Sequence, residues 1–260
     1  MTSSPALGYA SRVREYVAGR PEYPAALLAD LPPAETIIEI GAGTGKFTEL
    51  LALTGKAILA VEPIAAMTAR IPRRAGVDVR IGSAEAIPAP DRSAGLVCCA
   101  TAFHWFDYDG ATREIVRVLA DGGVLALIWN VRDESVDWVR QFTELTVARS
   151  GGRPYVRYHA TGTAGEAMTA DHVETIAASG RFGPVTERRF ASPQDASIDI
   201  VVGRAASTSF VSAMPTDARE ALLADLRTML EQHPDLAGRD TFVFPHDAWV
   251  STCRTVPAAG

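Results

Sequence analysis

Two acids and three glycines in the first quarter of the chain have the spacing of a site for a nucleotide-like ligand. The run Ile37-Ile38-Glu39-Ile40-Gly41-Ala42-Gly43-Thr44-Gly45 takes an apolar, strand-like stretch into a glycine-rich turn. Glycine lets a backbone turn tightly and approach a ligand closely. The spacing is G-x-G-x-G, and Lys46 stands where a dinucleotide fingerprint would carry its third glycine. Without a pyrophosphate to hold, the helix N-terminus behind the turn suits a carboxylate, such as that of a methionine moiety. If the turn served no ligand, its glycines would only weaken it. Glu62 ends the next strand, Ile58-Leu59-Ala60-Val61-Glu62. It lies about twenty residues past the first glycine, where a carboxylate accepts both hydroxyls of a ribose. After the third strand come Gly82-Ser83-Ala84-Glu85, where Ser83 and the backbone N–H of Ala84 can read an adenine edge. Met67 can pack on the adenine face or, as Met at helical spacing often does, in the core.

A second group follows the fourth strand, in Cys98-Cys99-Ala100-Thr101-Ala102-Phe103-His104-Trp105-Phe106-Asp107. The carboxyl ends of strands beside a topological switch point are where open α/β sheets bind ligands. Aromatic faces there attract a sulfonium cation. His104 can orient or deprotonate a nucleophile, or serve as a hydrogen-bonded structural imidazole. His159, His172, His233 and His246 are scattered without metal-ligand spacing and read as surface or structural. Asp107, Asp109 and Asp133 read as solvated loop carboxylates, and no metal is expected.

The elements that must position these residues alternate. Thr36 to Ile40, Lys56 to Val61, Val77 to Ile81, Gly95 to Ala100 and Val124 to Trp129 read as strands buried on both faces. Helical spacing falls between them, at Thr44 to Leu53 and Thr112 to Leu119. Strand followed by helix, repeated, implies an α/β fold: a Rossmann-like, doubly wound, mostly parallel sheet with helical cap insertions. Helices are expected at Trp138 to Ala148, Asp171 to Ser179 and Thr216 to Gln232, and late strands at Val185 to Phe190 and Ala248 to Arg254. The expectation is one domain, residues 1–260. It has an N-terminal lid at 1–33, a cofactor-binding core at 34–130, a helical cap at 131–183 and 191–240, and closing strands at 184–190 and 241–255.

The composition is that of a folded protein, with 47% hydrophobic and 22% charged residues. A net charge of −6 without a basic run opposes nucleic acid as partner and favours a small molecule. No apolar run approaches the roughly 20 residues of a membrane span, and no leader segment stands at the N-terminus. Three cysteines, two of them adjacent, make no secreted disulfide framework. The reading is a cytoplasmic protein of undetermined oligomeric state.

These residues resemble the class I S-adenosylmethionine-dependent methyltransferases, within them the ubiquinone-biosynthesis-like and trans-aconitate branch of small-molecule enzymes. Arg20-Pro21-Glu22-Tyr23-Pro24 is similar to that branch's R-P-x-Y-P lid, Glu39 to Gly45 to its E-x-G-x-G-x-G turn, and Val61-Glu62-Pro63 to its ribose-binding acid. Phe103 to Asp107 is similar to its H-W-F stretch, and Asp121-Gly122-Gly123 to its L-x-P-G-G turn. Two positions depart from the pattern: Ser83 stands where many members carry Asp, and Ala120 replaces the usual Pro. The resemblance implies S-adenosylmethionine as cofactor, with S-adenosylhomocysteine as product. It implies cofactor contacts from Arg20, Glu39, Gly41, Ala42, Gly43, Glu62, Pro63, Met67, Ser83 and Ala84, and a floor of Thr101, Ala102 and Phe103. His104 and Trp105 would then face an acceptor methylated at oxygen, on a carboxylate or a hydroxyl. Two alternatives stand beside it: a cyclase or non-methylating scaffold that binds the same cofactor, and, more remotely, a nicotinamide-dependent oxidoreductase, opposed by Lys46 and by the lack of a Tyr-x-x-x-Lys pair.

Overall fold

The structure, a computed structural model, describes residues 22–149 and 172–256. In chain order its elements are a 3-10 turn at Ala25–Ala29, β1 (Thr36–Ile40), α1 (Lys46–Ala52), β2 (Ala57–Val61), α2 (Ala65–Thr68), β3 (Val77–Arg80), β4 (Ala94–Ala100), α3 (Tyr108–Val118), β5 (Leu119–Arg132), α4 (Asp137–Arg149), a helix α5 over 172–178, β6 (Thr186–Ala191), β7 (Gln194–Ala196), α6 (Ile198–Ala206), a single turn at Ser209–Ser212, α7 (Thr216–Gln232), β8 (Phe242–Phe244) and β9 (His246–Arg254). The chain divides into two compact units. Among the described residues, one holds 23–130, 172–190 and 248–256, and the other 131–149 and 191–247.

The first unit is built on the mostly parallel, Rossmann-like sheet, whose strands run in the order β3-β2-β1-β4-β5-β9-β6. β1 pairs in parallel with both β2 and β4, so the strand order reverses there, and the carboxyl ends of β1 and β4 flank the switch point. Apolar runs make these central strands: Ile37, Ile38, Ile40, Ile58, Leu96, Val97 and Leu125 are all buried, as a sheet covered on both faces demands. β3 differs. It alternates, with Asp78 and Arg80 exposed and ion-paired at 2.6 Å, which is how an edge strand is kept from pairing further. Both late strands form: β9 lies between β5 and β6, and β6 takes the other edge.

Two local readings are corrected. The helix expected from Thr112 begins at Tyr108, because Asp107 caps it by accepting from the Gly110 N–H at 3.1 Å. Asp107 is therefore a cap, and Asp109 pairs with Arg113 at 3.0 Å and Arg181 at 2.8 Å, so neither is a merely solvated loop carboxylate. The same helix stops at Val118, and β5 takes Leu119, which had been assigned to it.

The second unit packs helices around its own core. On α7, Leu222, Leu226 and Leu230 recur every fourth residue and so share a face. They form one cluster with Val201 and Ala205 of α6, Trp138, Val139 and Phe142 of α4, and Phe242 and Phe244 of β8. β8 pairs antiparallel with β7, which places Phe244 opposite Gln194.

Candidate functional site

The glycine turn sits where β1 leaves the sheet. Gly41, Gly43 and Gly45 have φ of +72°, +58° and +92°, the left-handed region where a side chain is strained. At Gly41 there is also no room: a Cβ would lie 2.5 Å from that of Ala102, at the end of β4. The turn is tied to β2 by the N–H groups of Gly41 and Ala42, which donate to the Val61 carbonyl at 2.9 and 3.1 Å.

One residue further, Glu62 joins the turn. Its carboxylate accepts from the Gly43 N–H at 2.9 Å through Oε2 and from the Ile64 N–H at 3.0 Å through Oε1. The side chain is thus oriented by backbone on both sides, while remaining lone pairs stay available for further donors. It is only 4% exposed. Burial raises its pKa, and the Ile64 and Gly43 bonds oppose that rise. Glu39, on β1, is 1% exposed and accepts from the Thr48 hydroxyl at 2.5 Å. Burial pushes its carboxyl up to about 8, with Thr48 acting against the rise and the neighbouring Glu62 adding to it. Two buried acids thus lie beside the glycine turn, and a cation brought close to them would favour their ionised forms.

The end of β4 supplies the next wall. Thr101 has φ +54°, an uncommon conformation for a β-branched residue. Its N–H donates to the Ile128 carbonyl at 2.7 Å, and its Oγ1 lies 3.1 Å from the hydroxyl of Tyr23, whose ring meets Phe47 edge-on at 5.0 Å. Ala102 and Phe103 are buried. Phe103 stacks on Tyr108 at 5.2 Å and meets Phe106 and His172 edge-on at 5.8 and 5.6 Å. Phe103 to Trp105 form a 3-10 turn in which the His104 and Trp105 rings lie 4.9 Å apart, Trp105 at 37% exposure and the His104 Nδ1 buried.

The remaining expected contacts fall around β2 and β3. Met67 is buried on α2 and Pro63 is exposed. Ala84 is buried and Ser83 half-buried. Glu85, which the sequence reading left without a role, fixes this loop to the β4–α3 connection by accepting from the Asp107 N–H at 3.0 Å. Arg117 holds the following segment, donating to the carbonyls of Ile87 and Ala89 at 2.9 Å each. Arg20 lies outside the described residues, as does His159.

His172, His233 and His246 are buried, so of the two readings given them only the structural one stands. His172 stacks on Trp129 at 4.9 Å, with its Nδ1 3.4 Å from the Tyr108 hydroxyl. His233 meets Asp137 at 3.1 Å. These partners lie far along the chain, and spacing carried no sign of them. Among the described residues, no group of three or more His, Cys, Asp or Glu is arranged to hold a metal ion, and no helix is long and apolar enough to cross a membrane.

The family model for a methyltransferase domain matches residues 38–127, which hold the turn, Glu62 and the end of β4. An uncharacterized methyltransferase of Mycobacterium tuberculosis is 35% identical over 246 residues, 92% of each chain. A malonyl-[acyl-carrier protein] O-methyltransferase of Methylococcus capsulatus is 36% identical over 102 residues, 36% of this chain and 37% of that one. In fold, a protein from an antibiotic biosynthesis pathway of Anabaena variabilis matches with a TM-score of 0.61 at 19% identity, over 87% of this chain and 94% of the other.

Proposed function

The chain belongs to the methyltransferase-domain family, and we propose that it moves a methyl group from S-adenosylmethionine to a small-molecule acceptor, at a carboxylate or hydroxyl oxygen. The observation that carries this reading is the buried Glu62 carboxylate, aimed by the N–H groups of Gly43 and Ile64. It supports a ligand that brings vicinal hydroxyls to the end of β2. Glu39 and Glu62 together favour a positively charged ligand, which S-adenosylmethionine is. Bound, that cofactor supplies a methyl group already attached to its leaving group, so the reaction needs no covalent nucleophile from the protein.

The protein's part is alignment and exclusion of water. Gly41, Ala42 and Gly43, backed by Glu39, hold the methionine end; Glu62 and Pro63 hold the ribose; Met67, Ser83 and Ala84 hold the adenine. Thr101, Ala102 and Phe103 form the floor, with Arg20 as the lid contact. His104 and Trp105 face the acceptor. Methylation at oxygen is supported by the malonyl-[acyl-carrier protein] O-methyltransferase among the relatives. The acceptor is an acid or an alcohol.

Incubation with methyl-labelled S-adenosylmethionine and a panel of acids, phenols and amines tests this reading. Label recovered as ester or ether is expected; label found only on amines contradicts oxygen as the acceptor. A His104→Ala variant separates the two acceptor types. Its cofactor affinity stays within about twofold. Turnover falls by about 10²–10⁴ if the imidazole removes a hydroxyl proton, and far less if the acceptor is a carboxylate. Full activity would take His104 out of the site.

A further inference from the structure

Thr101 holds a backbone conformation that its own side chain opposes. A φ of +54° makes this β-branched residue a genuine outlier. Among the described residues, Arg92 is the other non-glycine at positive φ, and it is unbranched and exposed. Such a conformation persists only where its neighbours over-determine it, and it collects at functional sites. Thr101 follows β4 at the switch point of the sheet. The next residue, Ala102, fills the space in front of Gly41, where an added Cβ would lie 2.5 Å from the Ala102 Cβ.

Two hydrogen bonds fix that conformation. The angle φ is a rotation about the N–Cα bond, so it is set once the groups on both sides of the bond are held. On one side, the Thr101 N–H donates to the Ile128 carbonyl at 2.7 Å, at the end of the β4–β5 ladder. On the other, the Cβ carries Oγ1, which lies 3.1 Å from the Tyr23 hydroxyl. Tyr23 is itself anchored. Its ring meets the buried Phe47 of α1 edge-on at 5.0 Å. The turn behind it is pinned by the fully buried Leu27, whose N–H donates to the Pro24 carbonyl at 3.0 Å. Because α1 starts directly after Gly45, Tyr23 bridges the two neighbours of the glycine turn: the helix that leaves it and the β4 end that abuts it.

We propose that Tyr23 is a positioning residue: its hydroxyl clamps Thr101 in the left-handed conformation, which keeps Ala102 against Gly41 and the glycine turn in the shape that binds the cofactor. This deepens the function given above by adding a residue that acts on the cofactor site through another, and rests on that function only for the identity of the ligand. Released from Tyr23, Thr101 relaxes towards negative φ, where a branched side chain is unstrained, and the peptide that carries Ala102 turns with it. Loss of the Thr101 hydroxyl then has two different outcomes. Thr101→Val gives up the bond and keeps the strain, whereas Thr101→Gly gives up the bond and has no strain to resist.

Calorimetric titration of S-adenosylhomocysteine into variants of the full chain tests the proposal. Tyr23→Phe keeps the ring on Phe47, removes one oxygen, and is expected to weaken binding by about tenfold. Thr101→Val is expected to do the same, and combining the two adds less than about twofold, because each removes the same interaction. Thr101→Gly, which lacks the hydroxyl equally, is expected to bind about fivefold more tightly than Thr101→Val. A bond that only stabilised the fold would leave those two variants alike. In the ligand-free chain, the Gly41 backbone amide resonance is expected to move in Tyr23→Phe. Wild-type affinity in Tyr23→Phe overturns the proposal, as does an unmoved Gly41 resonance, and neither result needs a Thr101 variant to fold. Folded Thr101→Gly protein that binds no more tightly than Thr101→Val overturns it too. Failure of wild type to bind S-adenosylhomocysteine strikes the cofactor reading instead, and the clamp is then judged on the Gly41 resonance alone.

Discussion

Glu39 shows how a single residue can make ligand binding and stability depend on pH. Its carboxyl titrates near 8 in the folded chain against 4.5 ordinarily, so at neutral pH the fold holds it protonated while the unfolded chain leaves it ionised. A raised acid contributes its stability fully below about 4.5 and loses it as pH climbs through 8, on the order of a few kcal/mol in all. The melting temperature of wild type should therefore fall more steeply between pH 5 and 8 than that of Glu39→Gln, whose amide is neutral throughout. A cationic ligand beside it reverses the preference and drives the proton off. Calorimetry of S-adenosylmethionine binding at pH 7, repeated in buffers of different ionisation enthalpy, should detect a released proton in wild type and less release in Glu39→Gln. Equal proton release in the two proteins would mean that Glu39 does not sense the ligand. The sequence placed Glu39 in the strand that leads into the turn but offered no view of its burial or of Thr48. The glycines are needed for a different reason than ligand approach alone: all three sit at positive φ, so the turn requires them whether or not a ligand is bound. The acids carry the ligand-specific information.

At the scale of elements, α3 depends on its cap. The Asp107 carboxylate satisfies one N–H of the first turn, and its own N–H is held by Glu85. Asp107→Ala should destabilise the protein by about 0.5–2 kcal/mol, measured by urea unfolding, and a loss near zero would mean the cap bond does not persist in solution. Apolar spacing could not find this helix start, because the first turn, Tyr108-Asp109-Gly110-Ala111, carries no apolar stripe. The strands were far easier to read. Unbroken apolar runs such as Ile37 to Ile40 and Leu96 to Cys99 have no stable place except a sheet covered on both faces. Long-range pairings were out of reach: Tyr23 with Thr101, or His172 with Trp129, join residues whose separation along the chain leaves no periodic trace.

Over the whole molecule, burial of the cysteines is a direct check on the packing. Cys98, Cys99 and Cys253 are free and buried, and burial pushes the Cys253 thiol up to about 12 and raises those of Cys98 and Cys99 as well. A thiolate is the reactive form, so the native protein should react with a disulfide reagent far more slowly than free cysteine does, and three equivalents should appear on denaturation. A thiol that reacts at once would contradict the packed sheet. The α/β fold was legible because its signals are local, strand by strand and turn by turn. The contacts inside the second unit were not, since Arg132 reaches Phe142 and Arg204 reaches Phe244 only through tertiary packing. The central claim is that the glycine turn and Glu62 form one cofactor site. It is tested most directly by calorimetric titration of S-adenosylhomocysteine into wild type and Glu62→Ala. Wild type should bind one equivalent, and the variant, still folded by circular dichroism, should lose about 1.5–3 kcal/mol for each charge-assisted bond removed, less whatever water restores. A folded Glu62→Ala protein that binds with wild-type affinity would contradict the site.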